Sequence, residues 1–132
     1  MNAALLFIRI ACSIAFLYHG SAILFGAFGG PGPSKFAAFI HAPAVVGYMV
    51  GIGQFFGGLA ILLGIFTRIA AAGIAIIMLG AIYLVHLPHG FDVSRGGFEY
   101  AFTMLLIALA LVFTGPGAYS LAAAMPSSLR RL

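Results

Sequence analysis

The sequence GYMVGIGQFFGGLAILLG, residues 47–64, contains six glycines and few polar side chains. Gly47 and Gly51 are four residues apart, as are Gly53 and Gly57. Small residues at this spacing share one face of a helix and let the backbones of membrane helices approach closely. The stretch therefore predicts a helix at the centre of a membrane bundle or at a contact between subunits.

The composition of the whole chain also indicates a membrane environment. Of its 132 residues, 64% are hydrophobic and 6% are charged, and the mean hydropathy is +1.20. Soluble domains carry about 25% charged residues, so this chain has too few charges to cover a surface that faces water. The basic residues are few and scattered, which does not indicate nucleic-acid binding. We expect one integral membrane domain over residues 1–132.

Four apolar stretches are comparable in length to the roughly 20 residues that cross a hydrocarbon core of about 30 Å. They cover about residues 3–26, 44–66, 69–87 and 98–115, and a C-terminal tail, 116–132, follows. They lack the polar alternation of barrel strands, and helices satisfy their own backbone in lipid. The predicted fold is all-α, an integral membrane four-helix bundle. Helices two and three are joined by a tight turn, GIFTR, and the other two connections are longer.

The basic residues predict an orientation for this bundle. Four fall on the side of the termini and two on the opposite side: Arg9, Arg68, Arg130 and Arg131, against Lys35 and Arg95. Because cytoplasmic ends carry the excess of Lys and Arg, both termini are expected in the cytoplasm and the longer connections outside. Arg9 is expected to extend its charged end to the cytoplasmic interface.

Polar side chains gather in the outer half of the predicted bundle. His19 lies in the outer part of helix one, Tyr83 and His86 share a face near the end of helix three, and Glu99 opens helix four. Ionisable groups within a span are costly and usually face the bundle interior or a cavity. These four residues form the candidate cofactor-binding cluster, in which Glu99 is the expected charged neighbour of His19.

Several roles are compatible with this cluster. A quinone headgroup needs hydrogen-bonding groups near its carbonyls and an apolar wall for its tail. A b-type haem needs two facing imidazoles, for which His19 and His86 lie at compatible depths. Structural roles are compatible as well: His19 as a neutral imidazole bonded to another helix, and Glu99 as a helix cap or as the ion-pair partner of Arg95. No metal site is predicted, because no set of paired carboxylates accompanies the histidines.

Four motifs, taken in order, resemble the DoxX family of small four-helix membrane proteins. They are YHG in helix one, GGLAILLGIFTR across helix two and its turn, HGFDVSRGGFEYAF entering helix four, and GPGAYSL after it. The resemblance covers nearly the whole chain. It implies a bacterial or archaeal cytoplasmic-membrane protein tied to redox chemistry. Similar proteins include a membrane subunit of thiosulfate:quinone oxidoreductase and partners in complexes that handle sulfur compounds and oxidative stress.

Two positions depart from the pattern of that family. Relatives read His-Gly-x-x-Lys in helix one, where this chain has Ile23 at the lysine position. They carry Glu near the start of the Gly-rich motif, where this chain has Gln54. A buried ion pair can be exchanged for neutral groups at little cost when both partners change together. We therefore expect the two positions to face each other.

The sequence thus predicts an accessory membrane subunit of a respiratory, sulfur or oxidative-stress oxidoreductase assembly in the bacterial inner membrane. Its expected partners are the lipid bilayer and a larger membrane complex or further copies of itself, and the chain is not expected to be catalytic alone. The alternative is a redox-active subunit that binds a quinone, with haem b as the second choice. The small subunit of a thiosulfate:quinone oxidoreductase is an example of such a protein.

Overall fold

The computed structural model describes residues 1–132, and its regular elements are all helical. The helices are α1 (Asn2–Phe25), α2 (Gly32–Phe39), α3 (Ala44–Leu63), α4 (Thr67–Ala81), α5 (Glu99–Thr114) and α6 (Ser127–Arg130). A π-helical turn, Ile82–His86, continues α4. The 3-10 turns are Ala27–Gly29, Leu87–His89, Val93–Arg95 and Leu121–Ala124. The predicted all-α fold class is confirmed.

Three helical segments are long and apolar enough to cross a membrane: α1, α3 and the continuous segment Thr67–His89. At most 28% of the apolar window of each is buried within the chain. The rest of their apolar surface requires an apolar surrounding, and the molecule is a membrane helical bundle. Helix α5 has 16 residues and is about 24 Å long, which is shorter than a hydrocarbon core of about 30 Å.

Helix α3 lies at the centre of the bundle, in contact with α1, α2 and α4. Its glycines are the points of closest approach. A Cβ at Gly51 would lie 2.9 Å from the side chain of Leu24 in α1, and one at Gly57 would lie 3.1 Å from Ile74 in α4. In α1 itself, a Cβ at Gly20 would collide with the α3 backbone at Phe55. The prediction of a central Gly-rich helix is confirmed.

Helix α2 lies in the first long connection, where the sequence predicted no element. Pro33 sits in its first turn, where the missing N–H removes no hydrogen bond. The helix packs on α3 with Ala37 only 1% exposed. A Cβ at Gly47 would collide with the Pro33 carbonyl, so this glycine allows α2 to dock.

The turn between α3 and α4 is tight, as GIFTR predicted. It consists of residues 64–66, and Gly64 has a φ of 69°. Glycine adopts this left-handed conformation without steric cost, which is why helices often end there. The Gly64 carbonyl accepts a hydrogen bond from the Ala122 amide at 3.1 Å, which fastens the C-terminal tail to this turn.

Arg9 does not extend to the interface as expected, because it is 1% exposed. Its guanidinium donates to four backbone carbonyls, those of Ile61, Leu62, Pro116 and Tyr119, over distances of 2.6 to 3.0 Å. Carbonyls in the last turn of a helix have no partner within that helix. Arg9 therefore caps α3 and at the same time holds the tail that follows α5.

The tightly packed core lies toward the side of the molecule that holds both termini. Fully buried apolar side chains from α1, α3, α4 and α5 meet there: Cys12, Phe16, Ile61, Ala71, Ile74, Ala108 and Leu111. Toward the opposite side a cavity lies between the helices. The bundle thus has one packed half and one open half.

Candidate functional site

The open half of the bundle encloses a cavity of about 800 Å³, called here the bundle cavity. All five helices α1 to α5 contribute to its wall. Most of the lining is apolar, with side chains such as Phe36, Val50 and Ile77. Its polar side chains are His19, Gln54, His86 and Tyr100.

The bundle cavity opens on the apolar exterior of the molecule. Phe39, Met49 and Ile76 belong to its wall and are 67%, 65% and 71% exposed. Gly73 and Gly80 of α4 also line it, and a Cβ at either would meet no atom within 4 Å. An apolar molecule in the surrounding lipid therefore has a path into the cavity.

His19 lies on the wall of the bundle cavity, and Tyr100 is its neighbour across the bundle. The centroids of the two rings are 5.5 Å apart, and Tyr18 packs edge-on against the same imidazole at 5.3 Å. The sequence predicted Glu99 as the neighbour, and the ring that lies beside His19 is that of Tyr100, the next residue of α5. Consecutive residues of a helix point about 100° apart, and Tyr100 is the one beside the buried face that begins at Ala101.

The glycine that follows His19 explains how α1 presents this imidazole. Gly20 is buried against the α3 backbone at Gln54 and Phe55, where no Cβ would fit. The close approach of the two helices brings His19 and Gln54 to the same cavity. The His19–Gly20 dipeptide thus has a physical reason: Gly20 allows the contact between α1 and α3, and His19 lines the adjacent bundle cavity.

The hydroxyl of Tyr100 is buried without a hydrogen-bond partner in the chain. Buried polar atoms are almost always bonded, and each exception calls for an explanation. A phenol both donates and accepts, and Tyr100 lines the bundle cavity. Tyr100 is therefore a cavity-lining residue whose buried hydroxyl has unused hydrogen-bonding capacity.

His86 reaches the bundle cavity with its tautomer fixed. Its Nδ1 lies 2.8 Å from the carbonyl oxygen of Gly96. Because a carbonyl only accepts, Nδ1 carries the proton and donates it, which leaves Nε2 as an acceptor in the neutral ring. His86 therefore presents a hydrogen-bond acceptor of known identity.

The loop that supplies the Gly96 carbonyl is folded by its own hydrogen bonds. Asp92 accepts from the amide of Ser94 at 2.9 Å and from its hydroxyl at 2.7 Å, and its carbonyl accepts from the Gly97 amide at 2.8 Å. The hydrogen bonds from Ser94 lower the pKa of Asp92 because they favour the ionised carboxylate. The Gly96 carbonyl of this folded loop holds His86 in place.

Two of the four predicted site residues lie outside the bundle cavity. Tyr83 is 75% exposed, whereas His86, three residues later, lines the cavity. They do not share a face because the π-helical turn at 82–86 forms wider i→i+5 hydrogen bonds and changes the phase of the side chains. Glu99 accepts a hydrogen bond from the Val93 amide at 3.3 Å. It fastens the loop to α5 and does not pair with Arg95.

The two positions that depart from the family pattern lie at the same cavity. Ile23 and Gln54 are each 7% exposed, and both belong to its wall. Their lining of one cavity is compatible with the expected facing pair, which stays a prediction. In this chain the pair contributes one amide and one apolar surface, and no charge.

Comparisons with known proteins identify the family, and the family match includes the first two of the four motifs. The DoxX family model matches residues 4–87. A curated protein of Bacillus subtilis (strain 168) called "Putative oxidoreductase CatD" is 29% identical over 110 residues, which cover 83% of this chain and 78% of that protein. No solved structure matches the chain. The family match contains His19, Gln54 and His86 and ends before Tyr100.

Proposed function

Since this chain belongs to the DoxX family, we propose that it is a membrane subunit of an oxidoreductase assembly and that it binds a quinone in the bundle cavity. The observation that carries the proposal is the unpartnered Tyr100 hydroxyl at the wall of a large apolar cavity. The word oxidoreductase in the name of the Bacillus subtilis relative supports the redox part of it.

The dimensions and chemistry of the bundle cavity suit such a ligand. Sites for small molecules have volumes of about 300–1,000 Å³, mostly apolar walls and a few placed polar groups, and this cavity has about 800 Å³. The apolar wall would hold the prenyl tail. The Tyr100 hydroxyl and the Gln54 amide would donate to the quinone carbonyls, since both residues line the cavity.

A quinone carries electrons and protons together between membrane enzymes. The side chains that would accept or donate these protons are His86 and Tyr100. With its Nδ1 proton held by Gly96, His86 offers Nε2 as an acceptor for a hydroxyl proton, and Tyr100 can switch between donating and accepting. Electrons would come from a redox partner in the assembly, which is why the chain alone is not expected to catalyse a reaction.

The test compares two tyrosine variants by one quinone measurement. We expect the protein, purified in mild detergent from native membranes, to retain quinone that solvent extraction and chromatography quantify against protein. Tyr100→Phe removes the hydroxyl at the cavity and should weaken binding of an added short-chain quinone roughly three- to tenfold. Tyr83→Phe removes an exposed hydroxyl outside the cavity and should leave binding unchanged.

Other results would point to other roles. Equal quinone binding by both variants, or no saturable binding by the unmodified protein, would contradict the proposal. Co-purification with oxidoreductase subunits and without quinone would support the accessory role predicted from the sequence. A Soret band in the purified fraction would indicate haem b, for which His19 and His86 are the two histidines at the cavity.

A further inference from the structure

We propose that the side of the molecule that holds both termini carries a second binding site, and that its ligand is a phosphate group. A cavity of about 340 Å³ lies there between the start of α4, the end of α5 and the C-terminal tail. Arg68 and Arg130 line it from opposite elements. It is called here the terminal cavity.

Arg68 is held so that one edge of its guanidinium remains free. Its Nη1 donates to the carbonyls of Val112 at 2.7 Å and Phe113 at 2.9 Å, which caps the last turn of α5. A Cβ at Gly115 would lie 3.3 Å from Nε of Arg68, so the side chain lies directly over this glycine. The remaining edge, Nε with Nη2, is a planar pair of donors that matches two oxygens of one phosphate.

Arg130 brings a second cation to the same cavity. Its Nε and Nη2 donate to the Met125 carbonyl at 3.3 and 3.0 Å, and Nη1 has no partner within the chain. The hydroxyls of Ser120 and Thr114 already donate to backbone carbonyls. The available donors of the terminal cavity are therefore the two guanidinium groups.

No acidic side chain balances these charges, and the Leu132 oxygen beside the start of α4 accepts from the backbone amides of Arg68 and Ile69 at 2.7 and 3.1 Å. The chain contains two acidic residues, Asp92 and Glu99, and both belong to the loop and helix end on the opposite side of the bundle. Arg9, another cation of the packed half, donates to backbone carbonyls only. Two fixed cations beside a cavity at the ends of membrane helices form the type of site that binds anionic headgroups.

A phosphate in this position has two chemical sources, an anionic phospholipid or free inorganic phosphate. Native mass spectrometry of the full chain with added phosphatidylglycerol or phosphatidylcholine tests the first. Thermal unfolding in detergent with inorganic phosphate tests the second. Preferential retention of phosphatidylglycerol assigns the site to the lipid, and stabilisation by millimolar phosphate with displacement of the lipid assigns it to the free anion.

Neighbouring arginines provide a matched pair of variants. Arg130→Gln removes a cation that lines the terminal cavity and should reduce retention of phosphatidylglycerol about fivefold. Arg131→Gln removes the same charge one residue later, outside the cavity, and should change retention little. Arg68→Lys keeps the charge and loses the two-donor edge, so it should reduce retention as well.

The proposal is overturned if Arg130→Gln and Arg131→Gln lose phosphatidylglycerol equally, because the attraction would then be diffuse. It is overturned too if neither anion binds the unmodified protein. Arg68 also caps α5, so a loss of binding in Arg68→Lys counts only when its thermal unfolding matches that of the unmodified protein. The hydrogen bonds of Arg130 go only to the Met125 carbonyl of the tail, so Arg130→Gln provides the decisive comparison.

Discussion

The charge of Arg9 is stabilised by backbone carbonyls instead of a carboxylate. An isolated charge inside a bilayer is costly, and here four carbonyl dipoles replace water around the guanidinium. The Ile61 carbonyl also accepts from the Gly64 amide at 3.2 Å, whereas the carbonyls of Leu62, Pro116 and Tyr119, at a helix end and in a turn, depend on Arg9 for a partner. The guanidinium and the carbonyls therefore satisfy each other's hydrogen bonds, and substitution of Arg9 leaves several carbonyls without a partner at once.

Arg9→Ala is expected to lower the free energy of unfolding by about 3 kcal/mol or more, because each buried carbonyl left without a partner costs about 1–3 kcal/mol. Thermal or SDS-induced unfolding in detergent, followed by circular dichroism, measures the change. Arg131→Ala is the control, since this exposed arginine should matter by no more than about 0.5 kcal/mol. Equal stability of the two variants would rule out the proposed role of Arg9.

The sequence predicted part of the candidate site, and helical phase accounts for the rest. His19 and His86 were found because ionisable groups are rare in apolar spans, and both line the bundle cavity. Tyr100 was missed in favour of Glu99, although the buried face that begins at Ala101 was a signal that could have separated them. The exposure of Tyr83 could not be anticipated, because a π-helical turn leaves no distinct side-chain pattern.

At the scale of the helix, α3 was predictable and α2 was not. The glycine spacing of α3 reflects its own close contacts with three neighbours, and that information lies within the helix. Helix α2 has eight residues, and helices of this length are not stable alone. Its stability comes from docking on α3 at Gly47, which is a contact between segments that no local pattern reveals.

A pair of glycine variants tests the contact between α1 and α3. Gly20→Ala would place a Cβ into the α3 backbone at Phe55, so we expect a loss of about 1–3 kcal/mol from overpacking. Gly73→Ala adds the same atom where nothing lies within 4 Å, and it should leave stability unchanged or raise it by up to about 1 kcal/mol. Unfolding in detergent measures both, and a tolerated Gly20→Ala would contradict the described contact.

The whole molecule is asymmetric in packing and in charge. The half with the termini is closed, arginine-rich and free of acidic side chains, and the opposite half is open and holds Asp92 and Glu99. This asymmetry is the basis on which both termini are predicted to lie in the cytoplasm. The bundle cavity would then belong to the outer half of the membrane and the terminal cavity to the inner surface.

Cysteine labelling tests this orientation. Cys12 is the single cysteine of the chain and is fully buried. After Cys12→Ala, the only thiols are those introduced by mutation. Ser94→Cys and Ser128→Cys place one exposed thiol on each side of the bundle. We expect an impermeant maleimide to label the first in intact cells and the second only after the membrane is opened. The reverse pattern would invert the predicted topology.

The contacts of Arg9 also prescribe an order of events during biosynthesis. Arg9 leaves the ribosome early, and its carbonyl acceptor at Tyr119 lies 110 residues later, so about 5–20 s of translation pass before that acceptor exists. During this interval Arg9 can bond only the carbonyls at the end of α3, those of Ile61 and Leu62. Its complete set of acceptors exists only after α5 and the following turn have been made, so full stabilisation of this charge is a late step of assembly.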